Sequence, residues 1–231
     1  METLLKIENL NAWYTKGDPV IKGLNLKLAT NSVVGLLGLN GAGKTTLLNV
    51  LCGLHSEYEQ DEATFEQKKF AYRDGKFKKD RYMVFSEDDS FGYFSFDEYL
   101  HYVFRTYGKK VDQAEVDLLV KRFGFDAHRQ TMIKNLSMGN KRKAYLITGF
   151  ALKPKLLLLD EPVNGLDFQS TEMLYEMITD YKQYGTVLFS SHVMESVTLT
   201  ADEVVILKDG YIAKTFSNEE ITAENIREYV S

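Results

Sequence analysis

A glycine-rich segment that ends in lysine and threonine carries the strongest chemical signal in this sequence. It fits the pattern G-x-x-x-x-G-K-[ST] and reads Gly38-Leu39-Asn40-Gly41-Ala42-Gly43-Lys44-Thr45. An apolar run, 33–37, precedes the segment, and a helix-competent stretch, 46–51, follows it. Glycines allow a tight turn whose N–H groups point at phosphate oxygens, and the following helix N-terminus adds partial positive charge. We therefore predict a loop that binds the phosphates of a nucleoside triphosphate.

Within this loop, residue type suggests distinct roles. The Lys44 ammonium can reach the β- and γ-phosphates, and the Thr45 hydroxyl can ligate Mg²⁺. The nucleotide-binding residues that we predict here are Gly38, Asn40, Gly41, Ala42, Gly43, Lys44, Thr45 and Thr46. The loop by itself does not distinguish a kinase, a GTPase, a helicase or a transport motor.

Two further apolar runs end in side chains suited to hydrolysis. The run 156–159 is followed by Asp160, a predicted Mg²⁺ ligand, and by Glu161, a predicted general base for the attacking water. The run 187–189 is followed by two serines and then by His192, which can hydrogen-bond the γ-phosphate and the water. We predict Glu161, His192 and Lys44 as the catalytic set.

The predicted elements bring these groups together. Five short apolar runs, at 33–37, 82–85, 156–159, 187–189 and 204–207, have the composition of strands that are covered on both faces. Ligands of such parallel sheets bind beyond the carboxyl ends of the strands. We therefore expect the phosphate loop, the Ser86-Glu87 turn, Asp160 with Glu161, and His192 along one edge.

The remaining patterns complete an α/β fold. Alternating residues at 4–10 and 20–28 predict an N-terminal antiparallel β subdomain beside a mostly parallel central sheet. Capping-box spacing at 95–98 and 217–220 predicts two helix starts. The acidic stretch 57–66 is interpreted as a loop. Residues 90–152 contain helical periods but no apolar strand, so we predict a helical subdomain inserted into a core of 1–89 and 153–231.

Composition restricts the function. The chain of 231 residues has a net charge of −5, which argues against a nucleic-acid partner, and a single cysteine, which suits the reducing cytoplasm. Neither a signal peptide nor an apolar run of about 20 residues is evident. If the protein acts at a membrane, another chain must supply the pore.

The order of motifs resembles the ATP-binding subunits of ABC transporters over essentially the whole chain. Tyr14 is similar to the family's adenine-stacking aromatic, with Trp13 as the alternative, and Glu87 stands at the Q-loop position. The segment 136–140 resembles the signature LSGGQ, and 164–167, which ends in Asp167, resembles the D-loop. The signature residues are Ser137, Met138, Gly139 and Asn140.

This resemblance implies a P-loop NTPase fold, with ATP and Mg²⁺ as cofactors and Thr45, Glu87 and Asp160 around the metal. It also implies two ATPase subunits that close head to tail, so that each signature contacts the ATP held by the other subunit. The second expected partner is an integral membrane subunit, which places this chain at the cytoplasmic side of the cell membrane. The single cassette resembles the branch that exports drugs, peptides or lipids.

Three positions depart from the family pattern. Met138 replaces the first signature glycine, Asn140 replaces the glutamine, and Glu87 replaces the Q-loop glutamine. A methionine side chain can crowd the approach to a nucleotide, and a carboxylate adds negative charge near phosphates. We therefore formulate the hypothesis of a heterodimer with unequal ATP sites.

An aromatic stretch, 91–107, permits two interpretations. Aromatic residues at helical spacing usually form core, whereas a groove for a membrane partner would expose them. We expect Tyr99, Phe104 and Tyr107 inside and the segment from Phe91 to Phe96 at the partner surface.

Two other functional classes compete with the transport motor. A soluble ABC-family ATPase that acts on ribosomes or nucleic acid usually has two cassettes or a coiled coil, and this chain shows neither. A small-metabolite kinase has no use for the segments 136–140 and 164–167. The sequence therefore favours the motor.

Overall fold

The protein is described by a computed structural model that covers residues 2–230. The strands are β1 Thr3–Thr15, β2 Asp18–Ala29, β3 Val33–Leu37, β4 Tyr58–Glu59, β5 Glu62–Phe65, β6 Lys68–Lys69, β7 Arg81–Val84, β8 Leu156–Leu159, β9 Thr186–Ser191, β10 Glu203–Lys208 and β11 Tyr211–Ser217. The α-helices are α1 Lys44–Leu51, α2 Gly75–Asp80, α3 Phe96–Tyr107, α4 Gln113–Arg122, α5 Met138–Leu152, α6 Phe168–Asp180, α7 Met194–Thr200 and α8 Ala223–Val230.

The central sheet has six strands in the order β11-β10-β3-β9-β8-β7. All neighbouring strands are parallel except the edge pair of β10 and β11. The five apolar runs of the sequence are the five parallel strands, so the predicted α/β class is confirmed. The carboxyl ends of β3, β7, β8 and β9 consequently lie at one edge of the sheet.

A second sheet is antiparallel and is built mainly from the N-terminal residues. It has the order β2-β1-β5-β6, and β4 also pairs with β1. The predicted antiparallel pair at 4–10 and 20–28 is confirmed. The interpretation of 57–66 as a loop was wrong, because Ala63 and Phe65 alternate inward and bring β5 into register with β1.

Two apolar clusters lie on opposite faces of the central sheet. Alternate residues of one strand enter different clusters, as the two-residue period of a strand requires: Leu157 and Leu159 face one, Leu156 and Leu158 the other. The first cluster includes α3, α4, α5 and α6, and the second includes α1 and the antiparallel sheet. The sheet is therefore buried on both faces, which explains its apolar strands.

The stretch 90–152 holds α3, α4 and α5, joined by short 3₁₀ turns. Its buried side chains belong to the same cluster as one face of the central sheet. The division into a core and an inserted helical subdomain stays an interpretation.

Helix starts follow the sequence signals with one exception. Ser95 caps α3 through a full capping box, as predicted. The second capping box, at Ser217, begins a 3₁₀ turn, Asn218–Glu220, and α8 starts only at Ala223. Within the described range, every helix is too short or too polar to span a lipid bilayer.

Candidate functional site

The phosphate loop links the buried strand β3 to α1. Gly43 is the residue before α1 and has φ of 104°, a left-handed conformation that favours glycine. A Cβ at this position would lie 2.7 Å from Cδ1 of Ile21, so the loop packs directly on β2. Backbone and packing thus both require glycine here, and the predicted strand–loop–helix order is present.

Lys44 is buried at the centre of the site. Its Nζ donates to the carbonyl oxygens of Gly38 at 2.8 Å and Leu39 at 3.2 Å. The same ammonium lies 3.4 Å from Oε1 of Glu161. The loop therefore surrounds a positively charged ammonium group. Such a charge forms strong hydrogen bonds with phosphate oxygens.

Thr45 and Asp160, two predicted metal ligands, lie side by side. The Thr45 hydroxyl donates to Oδ1 and Oδ2 of Asp160 at 3.2 and 3.1 Å. A hydroxyl and a carboxylate are the hard oxygen ligands that Mg²⁺ prefers, and Mg²⁺ usually completes its shell with phosphate oxygens and water. Residues 2–230 contain no group of three or more His, Cys, Asp or Glu side chains that could hold a metal ion. The donor set fits Mg²⁺ bound together with a nucleotide.

Glu161 contacts two other predicted catalytic residues. Its Oε2 lies 2.8 Å from Nδ1 of His192, and its Oε1 faces Lys44. The backbone of Glu161 has φ of 47°, which is uncommon for a residue other than glycine and turns the chain sharply at the end of β8. Lysine, glutamate and histidine thus come together from the ends of three different strands.

Ser190 is a site residue that the sequence analysis missed. Its hydroxyl is fully buried, donates to Oδ1 of Asp160 at 2.6 Å and accepts the backbone N–H of Glu161 at 2.9 Å. One side chain on β9 therefore fixes both acids at the end of β8. The two serines that follow the apolar run 187–189 were the signal available in the sequence, although a linear pattern does not show which neighbouring strand each hydroxyl faces.

Tyr14 lies at the end of β1, above the start of α1. Its hydroxyl is 3.3 Å from Oγ1 of Thr46, its ring contacts His55 edge-on, and 63% of the residue is exposed. These contacts hold Tyr14 against the start of α1. Tyr14, with Trp13 as the alternative, stays the prediction for the residue beside the nucleotide.

The Ser86-Glu87 turn follows β7 at the same edge, and the Glu87 side chain is exposed. Arg142 of α5 donates to the carbonyl oxygens of Phe85 and Ser86, and also to that of Asp160. These hydrogen bonds fix the backbone that directly precedes Glu87. No hydrogen bond or ion pair joins it to Thr45 or Asp160 within residues 2–230.

The signature segment starts α5 and packs against the D-loop of the same chain. Ser137 caps the helix by accepting the N–H of Asn140 at 3.3 Å, and the Asn140 amide lies 3.1 Å from Nε2 of His128. A Cβ at Gly139 would lie 2.3 Å from the carbonyl oxygen of Gly165. Gly139 is therefore the signature residue whose backbone closely approaches the D-loop in this structure. The Met138 side chain lies over Gly165 and is 62% exposed.

Asp167 connects the D-loop to two helices. Its carboxylate accepts the N–H of Ser170, which caps α6, and pairs with Nζ of Lys143 on α5 at 3.0 Å. These hydrogen bonds, the backbone one foremost, lower the pKa of Asp167 to about 2. Across residues 2–230, no hydrogen bond links the signature to the phosphate loop of the same chain.

Comparison with known proteins agrees with this geometry. The sequence profile described as ABC transporter matches residues 21–164. AlbC of Bacillus subtilis (strain 168), named as an ABC transporter ATP-binding protein, is 33% identical over 92% of this chain and 91% of its own length.

Two solved structures have the same fold. The ATP-binding subunit of an ABC transporter superposes with a TM-score of 0.84 at 23% identity, covering 98% of this chain and 92% of that chain. CbiO1 of Clostridium perfringens, described as part of the ABC transporter complex cbiONQ, has a TM-score of 0.78 at 25% identity and covers 99% and 94%.

Fold and site together define a P-loop nucleoside triphosphatase. The chain belongs to the ABC transporter family, as an ATP-binding subunit that hydrolyses ATP with Mg²⁺ to power a membrane transporter.

Proposed function

We propose that this chain works as one of two cassettes that close head to tail around two ATP molecules. The observation that carries the proposal is the exposure of large apolar side chains on the phosphate loop, the signature and the D-loop. Leu39 is 60% exposed, Met138 62% and Phe168, which directly follows the D-loop, 79%. Apolar side chains grouped on functional segments are typical of surfaces that become buried in an assembly.

Each ATP then lies between the phosphate loop of one subunit and the signature of the other. Lys44 and the loop N–H groups bind the β- and γ-phosphates, and Tyr14 stacks on the adenine. Thr45 and Asp160 hold Mg²⁺, which neutralises charge on the phosphates when bound. Ser137 and Gly139 of the second subunit complete the γ-phosphate site with the N-terminus of α5.

Glu161 and His192 supply the chemistry of hydrolysis. Glu161 accepts a proton from the attacking water, and His192 orients the carboxylate and contacts the γ-phosphate. Phosphate oxygens compete with Glu161 for Lys44, so nucleotide binding frees the carboxylate to face the water. The hydrogen bonds from Ser190 hold both acids in place during this exchange.

A groove beside the Q-loop turn is the proposed contact with the membrane-spanning subunit. It has a volume of about 530 Å³ and lies between the core and α3. Its apolar lining includes Leu54, Phe85, Phe91, Tyr102, Val103 and Tyr107. Tyr99 and Phe104 are buried, as predicted, but Phe96 was wrongly expected at this surface, because its ring is fully buried against Phe125. With this proposed contact, we expect the chain to lie at the cytoplasmic face of the membrane.

The test uses the Glu161→Gln variant, which binds ATP but lacks the base. With ATP and Mg²⁺, we expect it to elute as a dimer in size-exclusion chromatography. From solubilised membranes it should recover a stoichiometric integral membrane protein. The identity of that protein also tests the hypothesis of drug, peptide or lipid export.

The matched control is Glu161→Gln combined with Lys44→Ala, which should stay monomeric because it binds ATP poorly. A Glu161→Gln protein that remains monomeric with ATP would contradict the closed pair. Recovery of ribosomes or nucleic acid in place of a membrane protein would favour the soluble ATPase.

A further inference from the structure

Arg142 is a buried cation that forms no hydrogen bond or ion pair with a carboxylate among residues 2–230. The residue is 4% exposed, and its guanidinium donates to three backbone carbonyl oxygens: Phe85 at 2.7 Å, Asp160 at 3.2 Å, and Ser86. These oxygens come from the ends of β7 and β8, whereas Arg142 belongs to the second turn of α5. One side chain therefore ties the signature helix to both strand ends that carry predicted site residues.

The surrounding charge is negative. Burial lowers the pKa of Arg142, and the charges of Asp160, Glu161 and Glu87 oppose that shift. A guanidinium stays charged under these conditions, since its ordinary pKa is far above neutrality. Arg142 is thus a fixed positive charge within the field of three acids.

Glu87 directly follows the two carbonyl groups that Arg142 holds. The segment continues with Asp88 and Asp89, and the Asp89 carboxylate pairs with Lys141 at 2.6 Å. An acidic turn therefore faces the basic start of α5. Exposed pairs such as that of Lys141 contribute little, because water and salt screen them. Among the charged groups around this turn, the buried guanidinium of Arg142 is the one whose removal should change the position of the turn most.

We propose that Arg142 is a positioning residue for ATP hydrolysis. It holds the turn 85–87 against the end of β8 and supplies the positive charge that permits a carboxylate, in place of an amide, at position 87 near the phosphates. The proposal rests on the function proposed above and on the sequence-based expectation that Glu87 lies near the bound nucleotide. Because Arg142 is part of α5, a displacement of the signature helix also displaces Glu87.

These two contributions predict different kinetic effects. Loss of the hydrogen bonds misplaces the turn and should lower kcat whichever residue is at position 87. Loss of the charge leaves Glu87 to repel the nucleotide, which should raise KM for Mg-ATP only when position 87 is glutamate.

The experiment is a double-mutant cycle on the full chain, with steady-state ATPase measured over a range of Mg-ATP concentrations. We expect Arg142→Gln to raise KM about tenfold with Glu87 present and less than about twofold in the Glu87→Gln background. We expect kcat to fall in both backgrounds. Thermal unfolding of each variant controls for loss of fold.

Arg142→Lys is the conservative variant and serves if Arg142→Gln fails to fold. Lysine keeps the charge without the planar fork, so KM should stay near the parent value while kcat falls. Equal KM increases in both backgrounds, or a lysine variant with a raised KM, would each overturn the proposal. Dimerisation of Glu161→Gln is measured separately, so failure of the closed pair and failure of the Arg142 proposal are distinguishable.

Discussion

At the scale of single residues, the hydrolysis site is a chain of contacts in which Ser190 occupies the centre. It orients Asp160 through its hydroxyl hydrogen and Glu161 through its oxygen, and Glu161 in turn contacts Lys44 and His192. Residues that orient ligands and bases are commonly as important as those they orient.

We expect Ser190→Ala to lower kcat about 10- to 100-fold, because both acids lose their shared support. Steady-state ATPase measurements give the value. Thr186→Val is the matched control, since it removes another buried hydroxyl of β9, one that bonds Ala29 far from the acids. The control should lose some stability but keep its kcat. A Ser190→Ala enzyme with the parent kcat would show that the contacts of Ser190 have no part in hydrolysis.

The sequence predicted the residues with distinctive chemistry and missed those whose role depends on position. Lys44, Asp160, Glu161 and His192 each follow a recognisable apolar run, and the structure brings them together. Ser190 was missed because nothing in a linear pattern shows which neighbouring strand its hydroxyl faces.

At the scale of elements, α5 and α6 meet at the D-loop. Asp167 caps α6 and pairs with Lys143 of α5, so a single carboxylate links the two helices. The signature packs on the same loop through Gly139 and Gly165. Movement of α5 is thereby transmitted to the D-loop.

We expect Asp167→Ala to reduce the free energy of unfolding by about 1 kcal/mol through loss of the helix cap. Asp167→Asn, which retains a good cap, should cost less. Urea denaturation followed by circular dichroism measures both. A cost for the asparagine variant as large as that for alanine would assign the effect to the ion pair.

The same carboxylate predicts a pH dependence. Its pKa in the folded protein is about 2, below the ordinary value of 3.8, so its stabilisation is present above pH 3.8 and is lost as pH falls towards 2. The side chain is 59% exposed, and screening keeps the effect small. The stability difference between the parent and Asp167→Asn should therefore shrink from neutral pH to about pH 3. A constant difference would contradict this link.

Element boundaries show where sequence patterns fail. Strand β5 was taken for a loop because the acidic residues in the stretch 57–66 obscured the alternation of Ala63 and Phe65, which pairs with β1. Phe96 was placed at the surface as part of the aromatic segment 91–96, yet its ring packs against Phe125. In both cases tertiary packing decided between two local patterns.

At the scale of the whole molecule, the chain presents two incomplete surfaces. One contains the phosphate loop, the signature and the D-loop with their exposed apolar side chains, and the other is the groove next to α3. Arg142 of α5 contacts Phe85 at the start of the Q-loop turn, and Phe85 also lines the groove. If the proposed function holds, we expect this contact to couple the nucleotide to the membrane subunit.

Met138 in the signature predicts that the two ATP sites of a dimer are unequal. We expect Met138→Gly to raise the ATPase rate about two- to tenfold, because it clears the side chain that lies over Gly165. ATPase assays at saturating ATP measure the change. Leu118→Ala, which trims another exposed apolar side chain, should have no effect. An unchanged rate in Met138→Gly would count against an impaired signature and against unequal sites.

The order of strands in the central sheet has a consequence for synthesis of the protein. Strand β3, which leads into the phosphate loop, pairs with β9 and β10, both encoded near the other end of the chain. The ribosome thus completes the loop long before either neighbour of its strand exists. At roughly 5–20 residues per second, the interval is on the order of ten seconds. Throughout that time the nascent chain carries its most distinctive motif without the architecture to retain a nucleotide.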